Sequence, residues 1–450
     1  MTAPARPMTS SSRPGQTRPP GSANEVGRGA ARPSGDTTAP PPADGRAVPS
    51  FTGNEEPPPL VVVLPAFSNG DTVALVAEHT EQAVLATGLS RPICTVLVDT
   101  SAATDERTRV AFQNARLWGS RVELTLPGAG WGAAVARGLR HAAQVGAEEV
   151  VLADPIAPAD LEAPAVESRL ASALRRLREQ ERPGAVCSPL AAPWWQRLLA
   201  IHVLRPLCAP SLGLTLVDPQ ARTLVLSGDA VPDVLSPSWG LMRMGWEHGH
   251  GLGLLAAVRE AGLDVGQTLP RIPHPEAFAR SMNRSPVDRR EASALLPTAL
   301  RLVSVASSVR DPAPVMPWVA DLGLAKGQLP PPEVFTAMLT QCSRAAQVVA
   351  SRPGVAAGWP EPLLNSWHAA RALQADIPAI AERLWLTYLA RLGPWLRFGA
   401  SAGGYTVPAR HSVVAAARQF LLATGTPVMA EQSAADVRGE SIASSLPGTG

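Results

Sequence analysis

Three short stretches of this 450-residue chain carry residue types and spacings that can do chemistry. Asp99 closes the apolar run ICTVLVDT (93–100), and Asp154 closes EEVVLADP (148–155). An acid at the end of a buried strand can bind a ligand in an α/β crevice, and it can equally end the strand as a solvated or turn-capping carboxylate. Pro127-Gly128-Ala129-Gly130-Trp131-Gly132 is a glycine-rich turn entering a helix. Its glycines allow close backbone approach, and the N–H groups of a helix start can hold a phosphate; the same residues also serve as a plain tight turn. Trp131 in that loop can stack on a sugar or base, or fill the site. His248 and His250 alternate in Trp246-Glu247-His248-Gly249-His250. On a strand or loop such a pair can face one transition metal or stand solvated.

Other chemistry is excluded by what is scarce. Lys326 is the single lysine among 40 basic residues, so lysine catalysis has one address at most. Cys94, Cys187, Cys208 and Cys342 are far apart with no CxxC and no Cys/His cluster, which argues against a zinc module and fits a reducing compartment. A formal net charge of +2 argues against nucleic acid or an anionic membrane as the main partner. No apolar run reaches a membrane span and no signal-peptide pattern opens the chain, so a cytoplasmic protein is expected.

These residues need a scaffold, and the hydrophobic pattern supplies one. Residues 1–59 hold 13 Pro and almost no aliphatic residues, the composition of a disordered segment; 431–450 reads as a second tail. From Leu60 the chain alternates. LVVVLPAF (60–67), ICTVLVDT (93–100), RVELTLP (121–127) and EEVVLADP (148–155) read as strands, and 71–87, 104–118 and 131–146 between them as helices. Such alternation predicts βαβ units, a mostly parallel sheet and a ligand crevice at the strand C-termini. A charged helix at 161–181 follows, then strands near 185–191 and 263–272, a short strand and turn at 221–231, and helices at 194–213 and 251–262. After His274 only helices are expected: 287–309, 332–350, 362–374, 377–398 and 408–424. The expected organisation is an α/β region over 60–280 and an all-helical region over 285–425, the latter offering a surface for homo-oligomers.

The order of the segments VVVLPAFSNG (61–70), VLVDTSAATDERT (96–108), LPGAGWGAAVARGL (126–139), EVVLADPIAPADL (149–161), HVLRPLCAPSLGLTLVDPQARTLVLSGDAV (202–231) and GWEHGHGLGLLAAVREAGLDV (245–265) resembles the nucleotide-diphospho-sugar glycosyltransferases of the GT-A fold. Within these, it resembles the glucosyl-3-phosphoglycerate synthase and mannosylglycerate synthase group over nearly all of 60–424; LLNSWHAARAL (363–373) and ERLWLTYLARLGPWLRFG (382–399) extend the likeness into the helical tail. The resemblance implies a GT-A, Rossmann-like domain, transfer of a hexose from an NDP-sugar to a small anionic acceptor of the glycerate or phosphoglycerate type, and a divalent metal (magnesium or manganese). Carried over residue by residue, it assigns Pro65, Phe67, Asn69, Asp99, Gly128, Gly130, Trp131 and Asp154 to the nucleotide-sugar, Arg222, Thr223 and Glu247 to the acceptor, and Asp154 and His274 to the metal.

The chain departs from that family where charge matters most. The family's DxD reads Ala153-Asp154-Pro155 here, its pyrophosphate lysine is Ala129, and the Glu of its first loop is absent from Phe67-Ser68-Asn69-Gly70-Asp71. The acceptor-loop acid is replaced in Asp218-Pro219-Gln220-Ala221-Arg222-Thr223, and the late acid survives only as Glu247, out of register. Loss of one such charge contact weakens transition-state stabilisation by ~2–4 kcal/mol. The alternative expectation is therefore a catalytically impaired relative that binds a nucleotide, a sugar phosphate or another protein.

Overall fold

The chain divides into two units, Met1–Glu55 and Glu56–Gly450. A computed structural model describes, in the second of them, residues 60–88, 92–154, 163–188, 198–213, 223–236, 251–268, 289–306, 332–351, 359–396 and 407–424. Seven strands among these residues form one sheet. They are β1 (Leu60–Ala66), β2 (Ile93–Asp99), β3 (Ser120–Thr125), β4 (Glu149–Leu152), β5 (Ala185–Ser188), β6 (Thr223–Ser227) and β7 (Val265–Gln267), in the spatial order β3-β2-β1-β4-β6-β5-β7. The β-branched runs of β1 and β2 are buried along their whole length, because helices cover both faces of the sheet.

One face carries α1 (Val73–Leu85), α2 (Arg107–Gln113) and α4 (Ala163–Arg178), packed on Leu60, Val62, Leu64, Ile93, Leu97 and Val151. The other carries α3 (Trp131–Gln144), a π-helical turn (Ala200–Leu204) running into α5 (Arg205–Leu212), α6 (Ala230–Leu235) and α7 (Leu252–Glu260), packed on Val61, Val63, Val96, Val98, Val150 and Leu152. Among the described residues, five further helices follow β7: α8 (Arg289–Val305), α9 (Pro332–Ala350), α10 (Glu361–Arg371), α11 (Ile377–Trp395) and α12 (Val407–Ala423). Their buried residues Leu295, Met338, Leu363, Leu384, Tyr388 and Phe420 belong to the same hydrophobic cluster as the second sheet face. The change to helices alone is thus a change of element type within one continuous core. Each fully buried leucine or valine in it contributes ~1.5–3 kcal/mol.

The sheet is mostly parallel, with one strand reversed. β6 runs antiparallel to both β4 and β5, while β5 and β7 are parallel. The end of β5 pairs with the beginning of β6, Ser188 against Thr223, so the chain re-enters the sheet from the edge at which it left. Two elements also differ in extent from the sequence pattern. α2 stops at Gln113 although the helical signal runs to residue 118. The backbone N–H groups of Trp118 and Gly119 instead donate to the Glu81 carboxylate, and a side chain on Gly119 would overlap the Ile93 carbonyl. Of the helix expected at 194–213, residues 194–197 lie outside the described residues; Ala200–Leu204 forms a π-helical turn followed by α5, which ends at Gly213 in the left-handed conformation. Among the described residues, no helix is long and apolar enough to cross a membrane. All four cysteines are buried and none forms a disulfide.

Candidate functional site

The C-terminal ends of β1, β2, β3, β4, β5 and β7 lie along one edge of the sheet, together with the start of β6. Strand order reverses between β1 and β4: β2 and β3 succeed on one side of β1, β4 on the other. An open α/β sheet has its crevice at such a point. Pro65 widens it. The Val63 carbonyl accepts the Ala153 N–H on the β4 side, and the Ala66 carbonyl accepts the Thr100 N–H on the β2 side. Pro65 shares the side of Val63, so its missing N–H falls where β4 would continue, and the β1–β4 ladder ends there.

Asp99, 4% exposed, closes β2 beside Ala66. Its Oδ1 accepts from the N–H of Ser101 (2.9 Å) and from its hydroxyl (2.5 Å), and its Oδ2 lies 3.8 Å from Nε of Arg109 on α2. Arg109 also contacts Glu106 at 3.2 Å. The Ser101 hydroxyl in turn accepts the Ser68 N–H at 2.8 Å, which ties the loop after β1 to the loop after β2. That first loop is held at three more points. Phe67 N–H donates to Asn69 Oδ1 (2.6 Å), Asn69 N–H to Thr108 Oγ1 (2.9 Å), and the Ser68 hydroxyl to Asp105 (3.2 Å). Asp105 is clasped by Arg107 through two bonds of 2.9 and 3.0 Å, and the guanidinium holds its carboxyl down to about 2. Ser68 takes φ +52°, a left-handed conformation rare outside glycine.

The loop after β3 joins the same edge. Leu126 N–H donates to the Asp99 carbonyl and Gly128 N–H to the Thr100 carbonyl. Gly128 has φ +73°, which a residue with a side chain adopts only under strain. Gly130 then caps α3 in extended conformation, and among the described residues no side chain hydrogen-bonds to the helix start. α3 lies directly on the sheet because Gly138 faces Val63, whose Cγ1 a side chain at that position would overlap. Trp131 packs partly against the core on this face.

The structure therefore brings Pro65, Phe67, Asn69, Asp99, Gly128, Gly130, Trp131, Asp154 and Thr223 to one edge. The side chains of Asn69 and Asp99 are committed to the loops that carry them. Phe67 is 62% exposed, whereas Asp154 is 6% exposed and follows Ala153, the last residue hydrogen-bonded to β1. Strand alternation puts Asp99 with the α1–α2 face and Asp154 with the α3 face, so the two acids flank the end of β1 from opposite sides. Arg222, Glu247, His248, His250 and His274 lie outside the described residues. No group of three or more His, Cys, Asp or Glu comes together among the described residues. Arg109 and Ser101 belong to the site and were absent from the sequence reading. Asp-x-Ser is a recognisable side-chain turn, but nothing local marks Arg109, ten residues from its partner. No protein-family model and no curated protein matches the chain.

Proposed function

We propose that this edge binds a nucleoside diphosphate or its sugar conjugate, and that the chain is a glycosyltransferase-like protein of the GT-A type in which metal-dependent transfer is weak or absent. The observation that carries the reading is the crevice between β1 and β4, with the uncapped α3 start and the Gly128–Gly130 turn on its rim. A helix start with no side-chain cap presents backbone N–H groups and a partial positive charge to an anion. That arrangement holds a diphosphate without the lysine that Ala129 replaces. Hexose transfer to a glycerate-type acceptor, with Thr223 and Arg222 at the acceptor side, is what the sequence resemblance adds. A magnesium or manganese ion would ease departure of the diphosphate, and Asp154 is the one described residue assigned to it. The altered DxD and the absent lysine favour binding over turnover.

Calorimetric titration of UDP and GDP, with and without manganese, tests this on wild type, Asp154→Ala and Arg222→Ala. Binding indifferent to manganese and weakened by Arg222→Ala is the expected result. Manganese-dependent binding that vanishes in Asp154→Ala, with turnover of an NDP-sugar, would show an ordinary active transferase. No binding of either nucleotide would remove the proposal.

A further inference from the structure

We propose that β3 is a dimer edge. It pairs antiparallel with β3 of a second copy of this chain, Val122 against Val122 across the two-fold axis and Arg121 of each copy against Glu123 of the other. The proposal does not depend on the nucleotide reading above. Three observations lead to it.

The first is an open edge. β3 and β7 are the outer strands of the sheet. β7 has three residues, of which Val265 and Gln267 are buried. β3 has six, and Ser120, Arg121, Glu123 and Thr125 are exposed. Among the described residues no strand lies beyond it. An edge of this kind is a template for another strand. The second is which backbone groups face out. The Leu126 N–H donates to the Asp99 carbonyl of β2. Backbone groups alternate along a strand, so Ser120, Val122 and Leu124 turn theirs to β2, and Arg121, Glu123 and Thr125 turn theirs outward. Arg121 and Glu123 can thus exchange N–H and C=O bonds with a second copy while the β2–β3 ladder stays intact. The third is charge. A two-fold axis normal to the sheet allows only registers in which opposed residues share a face. With Arg121 or Glu123 on the axis, that residue meets its own copy and like charges stand opposed. With Ser120 or Leu124 there, neither charge meets an opposite one. With Val122 on the axis, Arg121 and Glu123 oppose each other at both ends. The same register brings Trp118, 78% exposed, level with Leu126 of the other copy. An aromatic side chain left in water beside an open edge suits an interface.

Sedimentation velocity on the full chain, from micromolar to hundreds of micromolar, tests it with wild type, Glu123→Arg, the double variant Arg121→Glu with Glu123→Arg, and Glu123→Pro. Wild type shifts from one chain to two as concentration rises. Glu123→Arg sets like charges opposite each other twice and raises the dimer dissociation constant by roughly tenfold or more. The double variant restores opposite charges in the same register and recovers the dimer. Arg121 also donates to the Phe112 and Ala115 carbonyls, so the double variant loses those bonds. Glu123→Pro leaves them in place. It removes one outward N–H, which an edge strand tolerates, and abolishes the dimer while the dilute monomer keeps its unfolding midpoint. A wild type that stays monomeric at every concentration would overturn the proposal, and the two charges would then only keep the edge single. A dimer that survives Glu123→Pro would also overturn it and put the contact elsewhere, as in the C-terminal helices. A folded double variant that fails to dimerise would overturn the register.

Discussion

Glu81 and Asp99 are two buried carboxylates on the same face of the same sheet, and they do opposite kinds of work. Glu81, on α1, is fully buried. Its Oε1 accepts the Thr95 hydroxyl of β2 at 2.6 Å, and its Oε2 accepts the N–H groups of Trp118 and Gly119 at 2.6 and 3.2 Å. All these partners are interior or backbone groups at the entry to β3. Asp99 has a comparable number of partners, but it stands at a strand end, and one partner, Arg109, is 29% exposed. Burial and hydrogen bonding alone do not distinguish a carboxylate that fastens the scaffold from one that shapes a site. Its place along the strand does.

Removing the Glu81 carboxylate is expected to have the largest effect. Glu81→Ala leaves the buried Thr95 hydroxyl and two part-buried backbone N–H groups without their acceptor, at up to about 1–3 kcal/mol each. The variant should lose about 3 kcal/mol or more in urea unfolding while its folded fraction binds UDP as wild type does. A loss under about 1 kcal/mol would erase the contrast. Asp99→Asn keeps the shape and removes the charge. It should cost about 1–2 kcal/mol and loosen the Phe67–Asn69 loop, visible as faster amide exchange at Ser68 and Ser101. If amide exchange slowed instead, Asp99 would not be what holds the loop.

The pH dependence of stability is expected to come from two buried histidines, His202 and His141. Burial, and then the Arg391 charge, push His202 well below its ordinary value of 6.5, and burial with Arg137 lowers His141. Both are held neutral in the fold, whereas the unfolded chain takes up these protons near 6.5. Their contribution is present above that pH and lost as pH falls below it. Unfolding at pH 7.5 and 5.5 should show the loss, and His202→Gln should flatten it. A flat profile in wild type would contradict the assignment. Arg107→Ala should have the smallest effect: the exposed Arg107 releases the half-buried Asp105, whose carboxyl then returns from about 2 toward its ordinary 3.8, with the unfolding midpoint unchanged. A shifted midpoint would mean that the Asp105–Arg107 clasp supports more than the loop.

Much of the scaffold was legible because its signals are local. The runs at 60–66 and 93–99 are apolar at every position but Thr95 and Asp99 and are buried throughout, as a strand covered on both faces must be, and Gly128 and Gly130 announced the turn into α3. The end of α2 was misread because the N–H groups of Trp118 and Gly119 bond to Glu81, 37 and 38 residues away, and not to their own helix. The site was legible as a set of strand ends and illegible as a set of side chains. Asp99 looked available to a ligand until Ser101 and Arg109 were seen on it, and Phe67, one apolar residue after seven buried ones, gave no sign that it faces water.

By itself the sequence determined which segments are strands and helices, that the sheet is mostly parallel, and that its strand ends carry Pro65, Asp99, the glycine turn and Asp154. Those properties follow from periodicity, β-branching and chain stiffness, which act over a few residues. Tertiary structure alone decided the strand order, the reversal of β6, the continuation of one core into the C-terminal helices, and which polar groups at the crevice are already engaged. Each of these is a pairing between residues tens of positions apart. A hydrogen bond or a packed face is chosen there by what the rest of the fold leaves open, and no local pattern records it.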